Sequence, residues 1–183
     1  MVDCWADQLK AELSQGDLLS SALVGTAANP KISLSRGLTR KGGTGSWEES
    51  AWKSDAKGIG YYLARGRDIH VVVLSDDCEI DKDDGKVPVL VAPVVPISAV
   101  QDSAALDAVR SHRRYPFLPL PKLDGSIEES YVDLRCITYI DRKLIAKAVR
   151  QASMTQRGVD ELVKQIIAFF THVPFDKLIV PGR

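Results

Sequence analysis

Residues 69–75 read Ile-His-Val-Val-Val-Leu-Ser, and this stretch decides the fold class. β-branched residues favour strands, and a run that is apolar on both faces is typical of a strand inside a sheet. Residues 87–95, Val-Pro-Val-Leu-Val-Ala-Pro-Val-Val, predict a second strand. The intervening segment ends in Asp84-Gly85, a turn signal, so we interpret the pair as successive strands of one sheet.

Three more segments predict strands around this pair. Residues 17–24 precede Gly25 and predict the first strand. Residues 115–121 contain three prolines, which restricts them to a sheet edge or an extended crossover. Residues 130–140 alternate apolar and polar side chains and predict one strand with a single buried face.

Helices are predicted at both ends of the chain and at residues 103–110. Trp5, Leu9 and Leu13 recur at helical spacing and predict a helix over residues 1–15. The sequence Ser153-Met154-Thr155-Gln156 fits a capping box. The C-terminal helix after it has an apolar stripe of Val159, Leu162, Val163, Ile166, Ile167 and Phe170.

The composition is that of an ordinary globular protein. The chain has 183 residues, is 45% hydrophobic and has a formal net charge of zero. These values argue against disorder of the whole chain and against a uniformly basic coat. No apolar run approaches the length of a membrane span, and the first residues resemble no signal peptide. Three widely spaced cysteines make no disulfide framework, so we expect a cytoplasmic protein without membrane contact.

The predicted organisation is a helix at 1–15, one domain at 16–173 with an insertion at 26–67, and a tail at 174–183. The insertion is glycine-rich and holds eight bases and three acids, a local charge of +5. Cations neutralise phosphates, and aromatic rings stack on bases, so the insertion suggests nucleic-acid binding. A solvated surface loop is the alternative. The predicted nucleic-acid-binding residues are Arg36, Arg40, Lys41, Trp47, Trp52, Tyr62, Arg65, Arg113 and Arg114.

The last two of these arginines belong to a second basic segment, residues 110–115, which reads Arg-Ser-His-Arg-Arg-Tyr. Arginine suits bidentate contacts with phosphate, and His112 would exchange protons near neutral pH. The alternative is an exposed helix terminus whose cations complement the helix dipole.

An acidic segment follows the central strand. Cys78 lies among carboxylates. Neighbouring negative charges raise the pKa of a thiol and make it a poor nucleophile, so we favour the interpretation of Cys78 as a buried cysteine in a turn. Oxygen ligands from Asp76, Asp77, Glu79 and Asp81 would suit Mg²⁺ or Ca²⁺, but their spacing fits no EF-hand loop. We therefore predict no metal and no cofactor.

Four stretches resemble the PemK/MazF-like toxins of toxin–antitoxin systems. Gly16-Asp17-Leu18-Leu19 resembles their opening, and residues 71–77 and 89–94 resemble two of their core strands. Residues 131–144, Tyr-Val-Asp-Leu-Arg-Cys-Ile-Thr-Tyr-Ile-Asp-Arg-Lys-Leu, resemble their late signature. The resemblance implies an α+β fold built on a small SH3-like β-barrel with N-terminal and C-terminal helices. It also implies a homodimer and metal-independent cleavage of single-stranded RNA.

The sequence departs from the family at both catalytic positions. Ile69-His70 stands where the family has Arg-Pro, and Val95 stands where it has Thr or Ser. The candidate catalytic residues that could replace this chemistry are His70, Ser75 and Arg67. Two functions follow as hypotheses: an RNA-binding protein, RNA being preferred over DNA, with endoribonuclease activity retained or replaced, or a non-catalytic module that binds a protein partner.

Overall fold

A computed structural model describes residues 4–25, 33–35, 47–49, 66–81 and 87–178. The chain divides into two compact units, residues 1–23 with 68–183, and residues 24–67. The described part of the smaller unit includes a two-stranded antiparallel sheet within the predicted insertion. The larger unit contains the hydrophobic core.

The described strands are β1 (Leu18–Gly25), β2 (Ser33–Ser35), β3 (Trp47–Glu49), β4 (Gly66–Val73), β5 (Val89–Pro96), β6 (Phe117–Leu120), β7 (Ser130–Asp133), β8 (Thr138–Ile140) and β9 (Val149–Ala152). The described helices are α1 (Asp77–Asp81), α2 (Ser103–Arg110), α3 (Arg142–Ile145) and α4 (Gln156–Thr171). A 3-10 turn at Phe175–Lys177 follows α4.

Seven strands form one antiparallel sheet in the order β6-β7-β5-β4-β1-β9, with β8 also paired to β5. The long strand β5 is central. Val71 of β4 lies opposite Pro93, β7 pairs with the end of β5 at Val94, and β8 pairs with its start. The α+β class is therefore confirmed, as are the predicted strands at 69–75 and 87–95 and the edge position of residues 115–121.

The backbone pairing of the described strands is open, running from β6 at one edge to β9 at the other. Trp5 lies between these edges. Its backbone forms a bridge with Met154, just after β9, and its indole Nε1 donates to the carbonyl of Pro121, just after β6, at 3.2 Å. One tryptophan therefore links both ends of the strand order.

Helix α4 covers one face of the sheet. Val159 and Leu162 are buried against Leu18, Val72 and Val132 of the strands. Because these positions recur at helical spacing, this part of the predicted apolar stripe faces the core. The prediction is wrong for its other end, since Ile167 and Phe170 are exposed and the buried face includes Gln165 and Ala168 instead. The helix starts slightly later than the sequence suggested, since Thr155 is the N-cap and its hydroxyl accepts from the Gly158 N–H.

The predicted N-terminal helix over residues 1–15 is wrong for the described residues, because residues 4–15 contain no helix. The backbone N–H of Ala6 donates to the Ser153 carbonyl, and the Thr155 N–H donates to the Cys4 carbonyl. These bonds extend the sheet edge and take the place of helical hydrogen bonds. Leu9 is 48% exposed, so the apolar spacing does not mark a buried helical face.

The single strand predicted over residues 130–140 is also wrong. The chain forms β7, a 3-10 turn at Leu134–Cys136 and then β8. The Asp133 carboxylate accepts from the Arg135 backbone N–H at 3.0 Å, and this local bond turns the chain out of the strand. All four residues of β7 are buried, so it lacks the single buried face that the alternation predicted.

A buried carboxylate lies just before β1. Asp17 is fully buried, and its Oδ2 accepts from the Ser14 N–H at 2.9 Å and lies 3.5 Å from an Arg150 guanidinium nitrogen. Its Oδ1 has no hydrogen-bond partner among the described residues. Burial raises the pKa of Asp17, although hydrogen bonds from Ser153 and Ser14 and the charge of Arg150 lower it in part.

Asp17→Asn is expected to become more stable relative to the natural chain as pH increases. A raised folded-state pKa favours the protonated acid in the fold, so its stabilisation is lost as pH rises through that pKa. Asparagine does not ionise and does not incur this loss. Urea unfolding of both proteins between pH 4 and 8 measures the difference. A variant that loses relative stability with rising pH would show that the Arg150 pair outweighs desolvation.

Candidate nucleic-acid interface

Most of the predicted insertion residues lie outside the described part of the chain, namely Arg36, Arg40, Lys41, Trp52, Tyr62 and Arg65. Trp47 lies in β3 and Arg67 in β4, and only their backbone is described. The nucleic-acid role of these residues therefore stays a prediction from sequence.

The structure does not bring His70 and Ser75 together. Along β4, at roughly 3.3 Å for each residue, the Cα atoms of His70 and Val73 are about 10 Å apart, and Ser75 lies two residues beyond the end of the strand. The Ser75 hydroxyl accepts from the Leu90 N–H at 2.8 Å and so fixes the end of β4 against β5. His70 is half-buried in β4.

Arg113 and Arg114 lie in the short connection between α2 and β6, and both are exposed. Helix α2 ends at Arg110, and the chain reverses through His112, which has a left-handed φ of 56°. The Arg113 N–H donates to the Ala108 carbonyl at 2.9 Å, which closes the helix end. Its guanidinium Nε donates to the Ser111 hydroxyl at 2.7 Å.

Arg110 belongs to the same basic segment but already has an acidic partner. Its Nε and a terminal nitrogen donate to the two oxygens of Glu129 at 2.8 and 2.6 Å. The hydrogen bond from Arg110 lowers the pKa of Glu129 and raises that of Arg110 itself. The bidentate pair leaves Arg113 and Arg114 as the arginines of this segment that are suited to a phosphate.

Gln165 of α4 holds this connection from beneath. It is fully buried, and its Nε2 donates to the Tyr115 carbonyl at 2.8 Å and approaches the Arg114 carbonyl at 3.4 Å. Its Oε1 lies 3.1 Å from Nδ1 of His112. A single amide therefore holds backbone and ring together beside the two exposed arginines.

Aromatic rings from the C-terminal segment lie beside the same connection. His112 stacks on Phe175 with centroids 4.3 Å apart and ring planes 22° from parallel. The ring centroids of Tyr115 and His172 are 6.1 Å apart, and Lys164 Nζ lies 6.0 Å from the centroid of the Phe175 ring. His172, the C-cap of α4, also has a left-handed φ, of 57°.

These residues form what we call the basic–aromatic surface, defined by His112, Arg113, Arg114, Tyr115, Lys164, His172 and Phe175. The basic–aromatic surface places exposed guanidinium groups beside partly exposed rings. Proteins that bind single-stranded nucleic acids combine cationic and aromatic side chains in this way. Arg113 and Arg114 follow the C-terminal end of α2 and complement its dipole as well. The sequence indicated the two arginines but not Phe175 or Gln165, whose contribution depends on contacts 50 or more residues away.

Two carboxylates of the acidic segment accept hydrogen bonds from backbone N–H groups. Asp76 Oδ1 accepts from the Cys78 N–H at 2.9 Å, and Asp77 Oδ1 accepts from the Gln15 N–H at 2.7 Å. Among the described residues, no group of histidine, cysteine or acidic side chains is arranged to hold a metal. Cys78 is exposed, so the expectation of a buried thiol is wrong.

Comparisons with protein-family models, curated proteins and solved structures gave no match. None of the described helices is long and apolar enough to span a bilayer.

Proposed function

We propose that the chain binds single-stranded RNA through the basic–aromatic surface. The observation that carries this proposal is the position of exposed Arg113 and Arg114 beside the stacked His112–Phe175 pair. Guanidinium groups contact phosphates, and rings offer stacking faces to unpaired bases, which duplexes do not expose. The +5 charge and the tryptophans of residues 26–67 add support from the sequence.

The double substitution Arg113→Ala/Arg114→Ala is expected to weaken RNA binding severalfold and to flatten its salt dependence. For a single strand, the slope of log K against log salt falls by about 0.7 for each phosphate that the protein no longer neutralises, so two arginines account for about 1.4. Fluorescence anisotropy with a labelled mixed-sequence RNA of about 20 nucleotides, at salt concentrations of roughly 50–300 mM, measures both the affinity and the slope.

The matched control removes two other exposed cations. Lys122 pairs with Asp124 in a hairpin, and Lys147 follows α3. Lys122→Ala/Lys147→Ala changes the net charge equally and should leave the slope nearly unchanged. Equal weakening in both double variants would indicate a general charge effect and would remove the surface from the proposal.

Cleavage is tested on the same RNA. The separation of His70 from Ser75 favours binding without cleavage, so intact RNA is the expected result. Discrete fragments that persist in EDTA would instead assign metal-independent endoribonuclease activity. His70→Ala and Arg67→Ala would then show whether either residue contributes to the reaction.

We further propose that the sheet belongs to a PemK/MazF-like barrel that forms a homodimer in the cytoplasm. The link that Trp5 makes between the β6 and β9 edges supports the barrel, because it brings the two ends of the strand order together. Sedimentation equilibrium of the purified chain tests the dimer, and a monomer at micromolar concentration would contradict it.

A further inference from the structure

An open apolar groove of about 410 Å³ lies between α4 and the start of β5. Its apolar lining includes Leu74, Leu90 and Ile137, together with Ile167 and Phe170 of α4. Tyr139 of β8 also lines the groove. Tyr139 and Phe170 are 69% and 67% exposed, so both rings offer unused apolar area at the groove.

One end of the groove offers hydrogen-bond acceptors. Gln15 lines it and is only 6% exposed. Its Nε2 donates to the Leu74 carbonyl at 2.8 Å, which fixes the amide orientation and leaves Oε1 as an acceptor. Oε1 is buried and has no hydrogen-bond partner among the described residues. A buried acceptor of this kind is costly unless a donor reaches it.

The charge at this end is negative. The Asp76 carboxylate lines the groove beside Gln15, and helix α1 follows with Asp77, Glu79 and Asp81. Helix α1 carries no base in its last turn. Most of the groove is therefore apolar, and one end carries negative charge and a hydrogen-bond acceptor. A matching ligand has an apolar body and a cationic hydrogen-bond donor.

We propose that this groove binds a peptide segment of a partner protein that carries a basic side chain next to large apolar side chains. The basic donor would lie at Asp76 and Gln15, and the apolar residues would pack against Tyr139 and Phe170. The acidic end repels phosphates, so the site differs in chemistry from the basic–aromatic surface and does not depend on the RNA proposal. The exposed rings suit an extended segment that passes along the surface.

Three capped pentapeptides with a fluorescent label serve as probes: Ala-Arg-Trp-Leu-Ala, the same with Gln in place of Arg, and the same with Ser-Ser in place of Trp-Leu. Anisotropy gives affinities, and amide chemical shifts locate the contacts. We expect the arginine peptide to bind at least tenfold more tightly than the Ser-Ser peptide and about threefold more tightly than the Gln peptide. Shifts should concentrate at residues 137–139 and 163–170.

Variants of exposed residues test the location without disturbing the core. Phe170→Ser and Tyr139→Ser should each weaken the arginine peptide about tenfold, whereas Val149→Ser, at a 55% exposed residue on β9, should change nothing. Asp76→Asn keeps an oxygen for the Cys78 N–H and removes the charge. It should weaken the arginine peptide and leave the Gln peptide unaffected.

Several results would overturn the proposal. They are equal binding of all three peptides, peptide affinity that is insensitive to Phe170→Ser, and displacement of the peptide by single-stranded RNA. Self-association that Phe170→Ser abolishes, without peptide binding, would assign the groove to a second copy of the chain instead.

Discussion

Gly16→Ala is expected to lower the free energy of unfolding by about 3 kcal/mol. Gly16 has a φ of +84°, where an L side chain costs roughly 1–2 kcal/mol. An added Cβ would also lie 2.9 Å from Met154 Cβ and 3.0 Å from Val159 Cγ2, and overpacking of this kind costs about 1–3 kcal/mol. The backbone at Gly16 cannot easily shift to relieve these close contacts, because its N–H donates to the Val73 carbonyl and its carbonyl accepts from the Met154 N–H.

Gly125→Ala is a matched control for this substitution. Gly125 has a nearly equal φ of +78°, but an added Cβ would meet no atom within 4 Å. Its cost is therefore the backbone penalty alone, roughly 1 kcal/mol. Urea unfolding of both variants separates the two contributions. Equal destabilisation would mean that the contacts of Gly16 with Met154 and Val159 relax freely and that only φ matters.

The sheet was largely predictable because its central strands carry their own signal. Val71, Val72 and Val73 are fully buried in β4, and a β-branched run that is apolar on both faces suits few other structures. The edge position of β6 followed from proline, which lacks the N–H that an inner strand needs. Both signals depend only on neighbouring residues, so they can be recognised in the sequence without knowledge of the tertiary contacts.

The failures lie where a tertiary contact overrides a local pattern. Trp5, Leu9 and Leu13 have helical spacing, yet the indole of Trp5 donates to Pro121, 116 residues away. Ser153 offered a plausible helix cap, but it is fully buried and its hydroxyl accepts from the Lys10 N–H. Strand β9 was missed because Val149 is exposed and the strand has four residues, too few to establish a period.

The candidate interface was predictable only in its charges. Arg113 and Arg114 are adjacent in sequence, so their basic character is visible without a structure. Phe175 lies beside this segment only in the folded chain, where the chain turns at His172 after α4 and Phe175 stacks on His112. Gln165 is fully buried beside the apolar stripe of α4, where its polarity has no local explanation. A lone amide within a buried helical face is the signal that could have marked it.

Gln165→Leu is expected to destabilise the fold by about 2–3 kcal/mol and to weaken RNA binding. Leucine has a similar size but leaves the Tyr115 carbonyl without the donor that lies 2.8 Å away, and a buried unsatisfied group costs about 1–3 kcal/mol. It also removes the contact with His112 Nδ1 and the weaker one with the Arg114 carbonyl.

The control is Gln156→Leu, at the exposed start of the same helix, where the side chain bonds only Asp160 among the described residues. It should change stability by less than about 0.5 kcal/mol and leave RNA binding intact.

Because Gln165 would act by positioning the connection between α2 and β6, its replacement should reduce RNA affinity at every salt concentration. Most of the slope of log K against log salt should be preserved, since both arginines remain. The Arg113→Ala/Arg114→Ala variant should show the reverse, a flattened slope with unchanged stability. If Gln165→Leu unfolds less readily than expected and binds RNA normally, the connection is held by the His112–Phe175 stack instead, and the amide has no role in the interface.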